Sequence, residues 1–180
     1  MKLLILKAHT VCLAMLAMFT IGLSACKKNG GTATDDGEKY LTCKINGKYR
    51  EFNYSVNAND EPATDTVHFV VISGWEKQDK ITGFGIDMHI AEGAKEATYV
   101  ANGASGPSLA GKYYIQEMKD GKFVGTTVFN GGDLDGSNFT LTITSLTKWG
   151  VKGTFSGKLK LLGGDEIVTV TEGKFSAPYN

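Results

Sequence analysis

From Tyr40 onward the chain alternates apolar and polar residues with a period of two, the spacing of half-buried β-strands. Leu41, Cys43 and Ile45 interleave with Thr42, Lys44 and Asn46, and the Asn46-Gly47 pair that follows is a hairpin turn signal. Phe84, Ile86, Met88 and Ile90 share one face, opposite Gly85, Asp87 and His89. Phe139, Leu141 and Ile143 alternate with Thr140, Thr142 and Thr144. Beyond a turn at Lys148-Trp149-Gly150, Val151, Phe155, Leu159 and Leu161 line one face, with Lys152, Thr154, Ser156, Lys158 and Lys160 on the other. Gly163-Gly164-Asp165 turns the chain again before a last strand from Ile167 to Phe175. Runs at Gly111 to Met118 and Lys122 to Phe129 predict a hairpin around Asp120-Gly121.

Val67 to Trp75 breaks the alternation. Phe69 and Val71 lie on one face and Val70 and Ile72 on the other, which predicts a central strand covered on both sides. Ala91 to Ala97 has some helical preference, weakened by Gly93. Strands every ten to fifteen residues, abundant threonine and 23 glycines predict an all-β fold: an antiparallel β-sandwich, with an open barrel as the alternative.

The first 25 residues have a different pattern. Lys2 and Lys7 give a short basic start, Thr10 to Leu23 is uncharged and apolar, and small Ser24 and Ala25 precede Cys26. Leu23-Ser24-Ala25-Cys26 resembles a bacterial lipobox, which implies cleavage after Ala25 and lipid on Cys26. Two or more acyl chains would give stable anchoring where one would not. Residues 27–39, KKNGGTATDDGEK, lack any large apolar side chain and read as a flexible tether with a typical reach of roughly 20 Å. The expected organisation is thus a signal peptide over 1–25, a lipidated cysteine and tether over 26–39, and a sandwich over 40–180.

Lys2 and Lys7 leave with the signal, so 17 basic residues face 19 acidic ones in the mature chain. A near-neutral balance without a basic block gives no footprint for nucleic acid. Cys12 lies in the expected signal and the lipobox resemblance implies lipid on Cys26, which would leave Cys43 as the one free thiol with no partner for an intramolecular disulfide. Alternation places Cys43 in the core between Leu41 and Ile45.

Thr42-Cys43-Lys44-Ile45-Asn46-Gly47-Lys48, Gly153-Thr154-Phe155-Ser156 and Thr169-Val170-Thr171-Glu172-Gly173-Lys174-Phe175 bracket nearly all of the mature chain. Together they resemble the opening, penultimate and closing strands of small secreted lipoproteins of unknown function common in Bacteroidota, although Cys43 stands where a small or apolar residue is usual there. The resemblance implies a β-sandwich on the outer membrane, on its periplasmic or its surface side, and brings no catalytic residues.

Candidate chemistry is thin. No G-x-S-x-G, H-E-x-x-H, P-loop or C-x-x-C occurs, and no cofactor is implied. His68 and His89, with Asp87, would approach one another if the strands around Val71 and Ile86 pair, but their spacing matches no recognised metal set. Asp133-Leu134-Asp135-Gly136 has a D-x-D-G core reminiscent of calcium loops, yet lacks the third oxygen ligand and distal Glu of an EF-hand. Asp60, Glu61, Asp65, Asp87, Asp133 and Asp135 are the acids from which a glycosidase pair would come.

Trp75 and Trp149, with Tyr49, Tyr54, Tyr113 and Tyr114, are the candidates for stacking on a ligand, as aromatic faces do on sugars and at protein interfaces. For Trp149 the favoured expectation is a ring folded back as a cap on the core. Asp65-Thr66-Val67 resembles the Asp-Ser/Thr-apolar O-glycosylation acceptor of Bacteroidota, with Thr66 as the acceptor. Asn53 and Asn138 head N-glycosylation sequons that a bacterial lipoprotein has little reason to use. The expected function is a lipid-anchored, non-catalytic binding module for a glycan or an envelope protein. The alternatives are a polysaccharide hydrolase and a purely structural envelope subunit.

Overall fold

The structure, a computed structural model, describes residues 38–59, 62, 64–103 and 106–180. The expected signal, Cys26 and nearly all of the expected tether lie outside the described residues, as do Asp60 and Glu61. Eleven strands follow one another: β1 Tyr40–Ile45, β2 Lys48–Glu51, β3 Tyr54–Ala58, β4 Phe69–Trp75, β5 Thr82–His89, β6 Thr98–Ala101, β7 Ser108–Lys119, β8 Lys122–Gly131, β9 Asn138–Thr147, β10 Gly150–Leu161 and β11 Ile167–Pro178.

Every pairing is antiparallel. One layer runs β6-β9-β10-β11-β1-β2 and the other β3-β4-β5-β7-β8. Strand β10 joins them. Its residues Gly150 to Lys158 pair with β9, whereas Lys160 and Leu161 pair with Asn130 and Phe129 of β8. The result is one sheet folded over on itself, a sandwich that does not close into a barrel, as the alternation of apolar and polar residues predicts.

The two hairpin signals form as read. Asn46 and Gly47, and Asp120 and Gly121, all have positive φ (49°, 76°, 51° and 73°), the backbone that a two-residue type I′ turn requires at both central positions.

Phenylalanine rings hold the layers together. Phe84 of β5 stacks on Phe155 of β10 at 5.0 Å between centroids, with Phe139 of β9 at 6.5 Å and Phe52 at 5.7 Å. Across β10 and β11, Phe155 is paired with Gly173 and Gly153 with Phe175. A Cβ on Gly153 would lie 2.8 Å from Phe175 Cζ, and one on Gly173 would meet the Phe155 ring. Each ring thus occupies the space its glycine partner leaves empty, which accounts physically for the spacing of Gly153 and Phe155 and of Gly173 and Phe175.

Two expectations need correction. Strand β4 is not covered on both sides, because β3 alone separates it from the sheet edge. Its second apolar set faces outward: Phe69 is 57% exposed, stacked on His89 at 4.5 Å, and Val71 is 39% exposed. Residues 91–97 form no helix. Gly93, at φ 90°, donates its N–H to the Ile90 carbonyl (3.0 Å) and closes a turn instead.

Candidate functional site

Directly paired residues of an antiparallel sheet point to the same face. The outer face of the β3-β4-β5-β7-β8 layer can therefore be read row by row. One row runs Tyr54, Trp75, Gly83, Tyr114, Val128. Gly83 has no side chain, and the Tyr114 ring lies in the space above it: a Cβ there would sit 2.7 Å from Tyr114 Cζ and 2.8 Å from its hydroxyl oxygen. Gly85 extends the same bare strip. Trp75 meets Tyr114 edge to face, with centroids 5.1 Å apart and planes at 80°. The two half-buried rings form a corner, and Tyr54 continues it toward the sheet edge.

The next outward row, two residues along each strand and three on β3, where a bulge adds one, is polar: Asn57, Ser73, Gly85, Lys112, Asn130 and then Lys160 of β10. Ser73 Oγ donates to Asn57 Oδ1 (3.3 Å), and Lys112 is bound to Asp87. Asn130 Oδ1 is shielded from solvent and has no hydrogen-bond partner among the described residues. Burial, and secondarily the Asp87 carboxylate, pushes the Tyr114 phenol above its ordinary range, so it remains a neutral donor. An aromatic corner beside a row of amide, hydroxyl, ammonium and carboxylate groups can stack on a flat polyhydroxylated ring and hydrogen-bond its edge.

Beside this face, Arg50 closes the core over Cys43, its cross-strand partner. Arg50 Nη2 donates to Tyr113 Oη (3.0 Å), and its Nε lies 2.6 Å from Glu76 Oε1, an ion pair whose N–H points off the oxygen. Cys43 is fully buried, as the alternation predicts. Burial pushes its thiol up to about 12, with Arg50 pulling it down and Glu76 adding to the rise.

A concavity of about 460 Å³ crosses the outer face of the other layer. It is lined by Thr42, Thr140, Thr142, Thr154, Ser156 and Lys174, with exposed Tyr49 at its rim. Strand β11 bulges there. Glu172, at φ 53°, is held by Lys44 at 2.7 Å.

Trp75 and Trp149 do not converge. The row of Trp75 ends at Val128, whose carbonyl accepts from Leu162 N–H (2.8 Å), just past the end of β10. Trp149 precedes the start of that strand, thirteen residues before Leu162. Nor does Trp149 cap the core: it is 61% exposed in the β9–β10 turn, with Lys148 Nζ 4.7 Å from its ring centroid. The two-residue turn directs the ring outward, and the apolar rows on both strands are filled by other side chains. Tyr113 faces the core, packed on Phe52 and Phe129, and presents no face to a ligand.

The β4–β5 pairing sets His89 opposite Phe69 and, one residue along, His68 opposite Ile90, so the two imidazoles are not cross-strand partners. His68 Nδ1 lies 3.3 Å from the Ile90 carbonyl oxygen, His89 stacks on Phe69, and Asp87 is engaged by Lys112. No group of three potential metal ligands occurs among the described residues. Asp133 and Asp135 are exposed in a turn that Ser137 closes, its Oγ accepting from Gly132 N–H (3.1 Å) and donating to the Leu134 carbonyl (2.6 Å). Thr66 is exposed in the loop between β3 and β4.

Asn57, Ser73, Lys112 and Asn130 are beyond sequence reasoning alone. Alternation shows that they face outward, but only strand register sets them in one row beside the aromatics. Compared with known proteins, the chain matches no family model, no curated protein and no solved structure.

Proposed function

We propose that this chain is an envelope lipoprotein, anchored through Cys26, whose sandwich is a non-catalytic glycan-binding module. The observation that carries the reading is the Trp75–Tyr114 corner, set on a glycine strip and flanked by Asn57, Ser73, Lys112 and Asn130. Stacking would supply affinity, and the polar row would select the pattern of hydroxyls. Glycoside hydrolysis needs two carboxyl groups across the bond. The carboxylate that reaches the polar row, Asp87 from the next row of β5, is already held by Lys112, which favours binding over hydrolysis. The resemblance to Bacteroidota lipoproteins fits the same placement, and exposed Thr66 is available as an O-glycan acceptor in that setting.

The test is a glycan array probed with the purified protein, followed by titration of each hit against Trp75→Ala and Tyr114→Ala. Loss of at least about tenfold in affinity with an unchanged circular dichroism spectrum is expected, equivalent to about 1.4 kcal/mol or more. Hits that both variants retain in full, or an array without hits, would remove the corner as a glycan site. Release of new reducing ends from a bound glycan would replace binding by hydrolysis.

A further inference from the structure

The chain emerges at the same end of the sandwich that exposes Trp149. Tyr40 pairs with Ser176 and Ser176 with Lys152, so β1 starts two strand spacings, roughly 10 Å, from the base of the Trp149 turn. Tyr179 N–H donates to the Trp149 carbonyl (3.1 Å), tying the last residues to the same place. Phe69 is exposed at this end too. Asn180 N–H reaches the Asn59 carbonyl (3.5 Å) just past β3, and Asn59 Oδ1 accepts from Val71 N–H (3.2 Å), two residues from Phe69. Lys148 lies over the indole, Asp65 shares a hollow with Lys148, and Glu96 accepts from Leu146 N–H.

A tryptophan with its ring in solvent and a lysine on its face is the pairing that settles at a bilayer's headgroup level, apolar body inward and charge in water. By composition, a Gly-rich segment the length of residues 27–39 has a typical reach of roughly 20 Å, which would let this end touch the surface in which Cys26 would be held. We propose that the Lys148-Trp149 turn docks on the phospholipid headgroup layer of the anchoring membrane and orients the sandwich. This rests on the anchoring reading above. Its consequence is directional: the Trp75–Tyr114 corner, at the far end of β10, is carried away from the bilayer to face ligands.

Both tryptophans of the chain are accounted for, so fluorescence can separate them. The full lipoprotein is reconstituted into vesicles of phosphatidylethanolamine and phosphatidylglycerol, with and without brominated phosphatidylcholine. The wild type is compared with Trp149→Phe, a change at an exposed turn that the fold tolerates, and with Trp75→Phe, which leaves Trp149 as the sole indole. Bromolipid should quench Trp149 several-fold more strongly than Trp75, and Trp149→Phe should remove most of the quenching seen in the wild type. Equal, weak quenching of both indoles in protein that floats with the vesicles would overturn docking while leaving the anchor intact. Wild-type protein that does not float would overturn the anchor and docking together, and flotation that survives Cys26→Ala would overturn anchoring through Cys26.

Discussion

Cys43 gives the sharpest test of the register on which every row above depends. In the folded state its thiol is pushed from 9.0 up to about 12, chiefly by burial; Arg50 lowers it and Glu76 adds to the rise. The unfolded chain therefore gives up this proton about three pH units before the folded one does. Unfolding is then favoured as pH rises through that window, by about 1.4 kcal/mol per unit and about 4 kcal/mol in all. Below about pH 9 both states keep the proton and the group contributes no pH dependence. Cys43→Ala removes the titration and should cost about 1 kcal/mol at neutral pH through the lost sulfur contacts.

Urea unfolding of both proteins from about pH 7 to about pH 11 isolates this group, because the other titrating side chains are common to both. The wild type should be the more stable at pH 8, the two curves should cross near pH 10, and the variant should lead above it. A stability difference that stays constant to about pH 11 would refute the buried thiol. The register of β1 would then be shifted by one residue, with Thr42 and Lys44 turned inward.

Phe84→Ala, which empties the junction of four rings, should lower stability by about 3–5 kcal/mol in chemical denaturation. Trp149→Ala should shift it by no more than about 0.5 kcal/mol, so a large loss there would mean that the ring packs on the core after all. Gly111→Ala drives a methyl group into the Phe139 ring and should cost about 1–3 kcal/mol, read as a lower Tm. Gly83→Val should displace Tyr114 and abolish the contribution of the corner to glycan binding while leaving the Phe84 side of β5 intact, checked by titration alongside Tyr114→Ala.

The fold class, most of the strands, both type I′ hairpins and the burial of Cys43 follow from the sequence alone, because alternation, turn chemistry and side-chain volume act over a few neighbouring residues. The Gly153/Phe155 and Gly173/Phe175 spacings were visible too, although only pairing shows each glycine lying under the other strand's ring. Tertiary structure decided the rest. The outward apolar set of β4 reads in sequence as a covered face, and only strand order shows that it faces solvent beside the edge strand β3. The ends occupied by Trp75 and Trp149 depend on how β10 passes from one layer to the other, a long-range register that no local pattern encodes. The candidate site is of the same kind. Trp75, Gly83 and Tyr114 lie on three strands up to 39 positions apart, and hydrogen-bond register alone brings an empty glycine surface beneath one ring and beside another.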